Sequence, residues 1–283
     1  FALAIPLLPE PLRSEVGVGY LLFRIADTLE DAELLDRDER IAALEDWIEL
    51  REEPSSTEAA SLAERLADRW ARTPPSTNAE YNRLLRETPA VIARFLAFED
   101  TSRAAIAKHA VRSARGMAET LARSDADGTL ALATLEELRE YCYFVAGIVG
   151  EMLTHLFVLR LDASPSRNAL AAAAAAFGEG LQLVNILKDA PDDARDGRTY
   201  LPPGVSRGEV IRLAHANLAA AERYAGHLQA AGADEGVLAF VTLPRTLAEA
   251  TLDGLEHGER KVTRGVVAEK LAEAEAIRTG RAS

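Results

Sequence analysis

The chain is poor in cysteine: Cys142 is the only one in 283 residues, so no internal disulfide can staple the fold, which fits a reducing compartment. It is poor in positive charge. Thirty-two Lys and Arg stand against 45 Asp and Glu, a formal charge of -13, and the basic residues form no local concentration. Such a surface repels nucleic-acid phosphates and anionic lipid headgroups, so no nucleic-acid partner is expected. No apolar run reaches the roughly 18 residues of a membrane span, and no basic-then-apolar leader opens the chain. Strand-type alternation bounded by turns is also almost absent. What is present is 48% hydrophobic and 27% charged side chains, enough to build one large core and too apolar for a disordered chain.

Apolar residues recur at three and four along nearly every long segment, which predicts an all-α protein. Breaks at Pro54-Ser55-Ser56, Pro74-Pro75-Ser76, Asp125 to Gly128, Ser164-Pro165-Ser166, Pro191 to Gly208 and Gly232 to Gly236 divide it. Helices are expected at about 10–33, 37–52, 57–72, 78–86, 88–101, 102–122, 134–161, 166–190, 207–231 and 236–257. None of the breaks has the length of an interdomain linker, so 1–283 reads as a single domain. The Glu-rich helices between residues 37 and 72 read as solvated outer layers, and the alanines from Ala171 to Ala176 as a tight helix-packing surface.

Two helices have the wrong polarity for a plain core. In GLQLVNILKDAPDD, Gln182, Asn185, Asp189 and Asp193 fall within roughly 80° of one another, while Leu181, Leu183, Val184, Ile186 and Leu187 surround them. A solvated helix has a broad charged face; a thin stripe of amides and carboxylates on an apolar rod points instead to an internal polar cavity. In GYLLFRIADTLED, Tyr20, Arg24, Asp27 and Asp31 share a face in the same way. Carboxylates four residues apart repel, by at most about 4 kcal/mol at about 4 Å and an effective dielectric near 20. Arg24 offsets part of that, and a divalent cation offsets more. Oxygen ligands without His or Cys suit Mg²⁺, which takes one or two carboxylates and fills its shell with water and phosphate oxygens.

A third helix, LREYCYFVAGIVGEMLTHLF, sets Tyr141, Phe144, Val145, Ile148, Met152 and His155 along one side, with Ala146, Gly147 and Gly150 permitting close approach of another backbone or a flat ligand. His155 reads as a packed core histidine, and Cys142, about 100° from Tyr141, as a small buried apolar residue. Two acidic clusters beside an apolar wall describe a site for a molecule with an anionic head and a hydrocarbon tail.

These segments also resemble a family, the squalene and phytoene synthases, head-to-head prenyltransferases of the isoprenoid synthase fold. The resemblance covers most of the chain: FALAIPLLPEPLR, YLLFRIADTLEDA, YCYFVAGIVGEMLTHLF, GLQLVNILKDAPDDARDGRTYLP and, faintly, KVTRG. DTLED and YCYFVAG are nearer the squalene-type wording. The resemblance implies helices around a central cavity and two prenyl diphosphate substrates. Asp27 and Asp31 would hold Mg²⁺ at one diphosphate, Asp189 and Asp193 at the other. Arg24 would contact diphosphate beside Tyr20; Gln182 and Asn185 would line the cavity, Asn185 close to the metals. Tyr141 matches the tyrosine assigned to the chemistry, and Arg198 and Tyr200 in GRTYLP match the mouth of the site. Phe144, Val145, Ile148 and Met152 would form the wall around the tail. Lys188 stands where the family usually has Arg, keeping charge without the bidentate fork, and Pro191 interrupts the second acidic motif, tending to kink the helix before Asp192 and Asp193.

No GxGxxG follows a strand, so NADPH, the reductant of squalene-type members, would bind the helical fold itself, with Lys261 and Arg264 in KVTRG as the groups for its phosphates. A basic turn near a C-terminal helix is the alternative reading of those two residues. The expected localisation is cytoplasmic, with peripheral membrane contact for product release. Three reactions stay open: squalene formation through a cyclopropylcarbinyl diphosphate, a phytoene or dehydrosqualene reaction or an earlier stop, and, in another class, single-substrate cyclisation by a class I terpene cyclase.

Overall fold

The computed structural model describes residues 1–53, 55–125, 130, 132–161, 167–193, 199–259 and 261–281, with backbone alone for 167–169, 171, 172 and 191–193. Within them the chain is all-α, with a 3-10 turn at Ala2–Leu7 and helices α1 Leu12–Glu30, α2 Arg37–Glu52, α3 Ser56–Arg72, α4 Ala79–Arg86, α5 Thr88–Leu96, α6 Asp100–Ala122, α7 Leu135–Cys142, α8 Ile148–Val158, α9 Arg167–Asp193, α10 Arg207–Ala230, α11 Glu235–Glu256 and α12 Arg264–Arg278. Their starts follow from capping chemistry. Asp36 with Glu39, and Ser206 with Glu209, form reciprocal capping boxes, while Ser55, Asn78, Thr134, Asp234 and Thr263 each accept an orphan N–H of the first turn.

Four expectations are refined or corrected. The helix expected over 134–161 is observed as one helical run, Leu135–Val158, but Tyr143–Gly147 within it forms a π turn between α7 and α8, which breaks the 3.6-residue phase between Tyr141 and Met152. The helix expected to stop at residue 190 continues through Pro191 to Asp193. Helix α12 was not expected at all. Finally, Leu135–Val158 is long and apolar enough, by length and composition, to cross a membrane, although 56% of its most apolar stretch is buried inside the protein, as in a core helix.

The helices gather into two compact units, Gly17–Ala131 and a second made of Phe1–Val16 with Leu132–Ser283. In the first, α2 packs on α6 and α3, and α3 on α4 and α5. Helices α2 and α3 are not fully solvated layers. Each buries one face, Leu44, Trp47 and Leu50 from α2 and Ala63, Leu66 and Trp70 from α3. Arg51 is buried there too, its guanidinium 4.5 Å from the Phe95 ring centroid and 5.3 Å from that of Trp47, and burial pushes its pKa down to about 10.

In the second unit α9 is the hub, touching α7, the π turn, α8, α10 and α11. That is why its sequence is apolar nearly all round. Where it crosses the α7–α8 run, glycine takes the place of a side chain on both partners. A Cβ on Gly178 would lie 1.9 Å from the Ala146 carbonyl oxygen, and one on Gly150 1.9 Å from that of Ala174. Beside the crossing, the Thr154 hydroxyl donates to Gly150 O at 2.9 Å, so the fully buried Tyr224 hydroxyl donates to Thr154 Oγ1 at 2.7 Å. Burial pushes the Tyr224 phenol up, which keeps it neutral and donating.

Candidate active site

Helix α1 buries Leu22, Phe23, Ile25, Ala26 and Leu29 and leaves Tyr20, Arg24 and Asp27 half-buried. Asp31 lies just past the last helical residue, but its N–H still donates to Asp27 O at 3.0 Å, so the helical face carries on to it. The expected stripe Tyr20, Arg24, Asp27 and Asp31 is therefore brought together. Arg24 Nη1 is ion-paired with Asp27 Oδ2, and the two side chains keep 35% and 30% of their surface exposed, open enough for a ligand to reach. Burial works against the Arg24 charge, but Asp27, Tyr81, Tyr20 and Asp31 together hold its pKa above the ordinary value.

On α9, Gln182 and Asp189 are half-buried and Asn185 is exposed. Lys188 Nζ lies 3.2 Å from Asp189 Oδ2 and donates to Asn185 Oδ1 at 3.4 Å, so the lysine sits between the amide and the carboxylate of the stripe. The Asp193 side chain and Arg198 lie outside the described residues. Tyr200 is described, and its ring stacks on Tyr141 with centroids 5.2 Å apart and 25° between planes. Tyr141 is only 4% exposed. Along the apolar run, Phe144 and Val145 in the π turn stay half-buried, whereas Ile148 and Met152 are sealed at 1% and 0% exposure.

His155 is not the packed core residue expected: it is exposed, because the last turn of α8 emerges at the surface beside exposed Leu159 and Arg160. Cys142 is buried as expected, and burial, reinforced by the Glu179 charge, pushes its thiol up and makes it inert. Lys261 and Arg264 are both exposed, Arg264 as the first residue of α12 after the Thr263 cap.

Two residues escaped the sequence reading. Tyr81 on α4 accepts a hydrogen bond from Arg24 Nη2 at 2.8 Å, from 57 residues away. Glu179 on α9, with Glu136, Arg139, Glu140 and Tyr143, lines a groove of about 320 Å³, and burial raises its carboxyl pKa against the pull of Arg139 and Asn217. No local periodicity links Tyr81 to Arg24; Glu179 borders the α9 stripe and was legible as a carboxylate on a buried helix.

Mg²⁺ fits the donor set. Among the described residues no group of three or more His, Cys, Asp or Glu converges as an all-protein metal cage. Mg²⁺ characteristically needs only one or two carboxylates when substrate phosphate completes its shell, and half-exposed Asp27 on α1 and half-exposed Asp189 on α9 are each, separately, a donor of that kind.

An all-α chain with two polar-striped helices and a buried tyrosine is the isoprenoid synthase fold. The solved complex of TcSQS with the ligand BPH1237 shares it, with a TM-score of 0.70 and 24% identity, covering 96% of this chain and 81% of that one. The model of the squalene/phytoene synthase family matches residues 1–209, and the chain belongs to that family. It is similar to the squalene synthase of Schizosaccharomyces pombe, 28% identical over 202 residues, 71% of this chain and 41% of that protein. A shorter stretch of 69 residues is 46% identical to phytoene synthase 2 of Zea mays, 24% of this chain and 17% of that protein. The chain thus spans less than half the length of the first curated relatives it matches.

Proposed function

We propose that the protein is a Mg²⁺-dependent head-to-head prenyltransferase that joins two farnesyl diphosphates through a cyclopropylcarbinyl diphosphate to squalene, and that residues 1–283 act as one catalytic domain. The observation that carries this reading is the pair of carboxylate stripes, Arg24, Asp27 and Asp31 on α1 and Asn185, Lys188 and Asp189 on α9, each on an otherwise apolar helix of a family member. Asp27 and Asp31 would hold Mg²⁺ at one diphosphate, and Asp189, Asp193 and Asn185 at the other. When bound, the metal supplies charge neutralisation of the departing diphosphate, without which ionisation of a carbon–oxygen bond in apolar surroundings is prohibitive.

Arg24 and Lys188 add fixed positive charge for the same diphosphates, with Arg198 at the mouth. Tyr20 and Gln182 orient them. Phe144, Val145, Ile148 and Met152 exclude the water that would quench an allylic cation to an alcohol. Tyr141, stacked on Tyr200, presents its phenol to that cation as a stabilising dipole and as the acceptor of the proton lost when the cyclopropane closes. Reduction would draw a hydride from NADPH, with Lys261 and Arg264 meeting its phosphates. The membrane contact fitting this chemistry is peripheral, for release of a hydrocarbon from a cytoplasmic enzyme.

The 69-residue likeness to a phytoene synthase favours a second reading, a condensation without reduction. Incubation with farnesyl diphosphate and Mg²⁺, with and without NADPH, and mass spectrometry of the products separates the two: squalene only with NADPH supports the first, and dehydrosqualene in both the second. A cyclic product of a single farnesyl unit would overturn both. Tyr141→Phe should cut the rate of the first condensation by about 10²–10³, the range for a removed acid–base or dipole group, while substrate affinity changes less than about threefold. Single-turnover rates with binding titrations check it, and an unchanged rate returns Tyr141 to packing.

A further inference from the structure

Arg24 has two partners, and they come from different parts of the chain. Nη1 meets Asp27 Oδ2, one turn on along α1, and Nη2 donates to the Tyr81 hydroxyl at 2.8 Å, with the guanidinium carbon 4.9 Å from the tyrosine ring centroid. Tyr81 sits in the first turn of α4, an eight-residue helix too short to hold its position by itself. What holds it is a clasp to the segment that follows α1. Glu33 Oε1 accepts from Ser76 Oγ at 3.0 Å, from Thr77 Oγ1 at 2.6 Å and from the Thr77 N–H, and Leu34 N–H donates to Pro75 O at 3.1 Å. Three donors converging on one carboxylate oxygen make the clasp charge-assisted. Ser76 then passes the anchorage on: its hydroxyl accepts from Asn78 N–H at 3.0 Å, its carbonyl accepts from Asn82 Nδ2 at 2.6 Å, and Asn78 Oδ1 caps α4 at the N–H groups of Glu80 and Tyr81.

A guanidinium three residues from a carboxylate on a helix would, left alone, close onto it and occupy the oxygens that a cation needs. The Tyr81 hydroxyl gives Arg24 a second, neutral acceptor from a fixed direction. It spreads the guanidinium between two partners, so that Arg24 meets Asp27 through Nη1 alone and is held in one orientation. We propose that Tyr81, held by the Glu33 clasp, is a positioning residue for the α1 diphosphate site and acts through Arg24. This deepens the proposed function and rests on Asp27 holding Mg²⁺ there.

The probe is inorganic pyrophosphate with Mg²⁺, titrated calorimetrically into the wild type, Asp27→Asn and Tyr81→Phe, with thermal unfolding of each. Tyr81→Phe keeps the ring and removes the acceptor. The expected result is an Mg²⁺-dependent affinity weaker by about five- to tenfold, the effect of one typical lost hydrogen bond, at an unchanged unfolding midpoint. With farnesyl diphosphate, KM rises by a similar factor while kcat changes less than about twofold. Wild-type affinity in Tyr81→Phe, or a loss matched by a lowered unfolding midpoint, overturns the positioning role while Asp27→Asn still shows the metal site. Wild-type protein with no Mg²⁺-dependent pyrophosphate binding, or binding untouched by Asp27→Asn, overturns the parent reading and this one with it.

Discussion

Asp27→Asn and Asp189→Asn should each lower turnover of farnesyl diphosphate to below about a thousandth of the wild-type rate. Metal-assisted charge stabilisation contributes several kcal/mol at the transition state, and each 1.36 kcal/mol is tenfold in rate. The replacement keeps the side chain's shape and removes its charge. On α1 it leaves Arg24 with Tyr81, and on α9 it leaves Lys188 with Asn185. Both aspartates are partly exposed, so the loss of either ion pair costs stability less than about 1 kcal/mol. Helical circular dichroism and the unfolding midpoint should therefore match the wild type. Full activity in either variant would remove that carboxylate from the metal assignment.

The second large effect concerns stability. Gly178→Ala puts a methyl 1.9 Å from the Ala146 carbonyl oxygen and 2.5 Å from its carbon, and both belong to backbone that cannot swing aside. Alanine is a better helix former than glycine by about 1 kcal/mol, so propensity alone predicts a gain. The clash decides the sign: forcing two packed helices apart costs on the order of 3 kcal/mol, which lowers the thermal midpoint by roughly 6–10 °C in a chain of this size. Gly226→Ala on α10 is the matched control, exposed and with nothing within 4 Å of the added methyl, and it should raise the midpoint slightly. Calorimetry on the two variants checks the pair. Equal midpoints would mean that the crossing yields freely.

Much of the helical order was legible because its signals are local. Caps such as Asp36 and Ser206, and proline or glycine breaks, act within a turn of the residues they punctuate. The π turn was not legible, since YFVAG suits an α-helix equally well and the extra residue is accommodated by packing against α9. Helix α12 escaped although Val266, Val267, Leu271 and Ile277 lie along it: its other apolar residues are alanines, and Ala274 is its one buried position among the described residues. On α1 the stripe was read correctly from its period, down to Asp31 beyond the helix end. Tyr81 was invisible for the opposite reason: only the Glu33 clasp, forty-odd residues across in sequence, brings it to Arg24. His155 was misread because period reports which face a residue occupies, but not where along its length a helix leaves the packed interior.

The paired glycines have a mechanical corollary. One residue of axial travel between the two rods is about 1.5 Å, and the clearance at Gly150 and Gly178 is already taken up by carbonyl oxygens. The joint works like a dovetail: it resists sliding as well as compression, so the Leu135–Val158 run keeps its register on α9. Any breathing within this unit must come from segments not keyed into it.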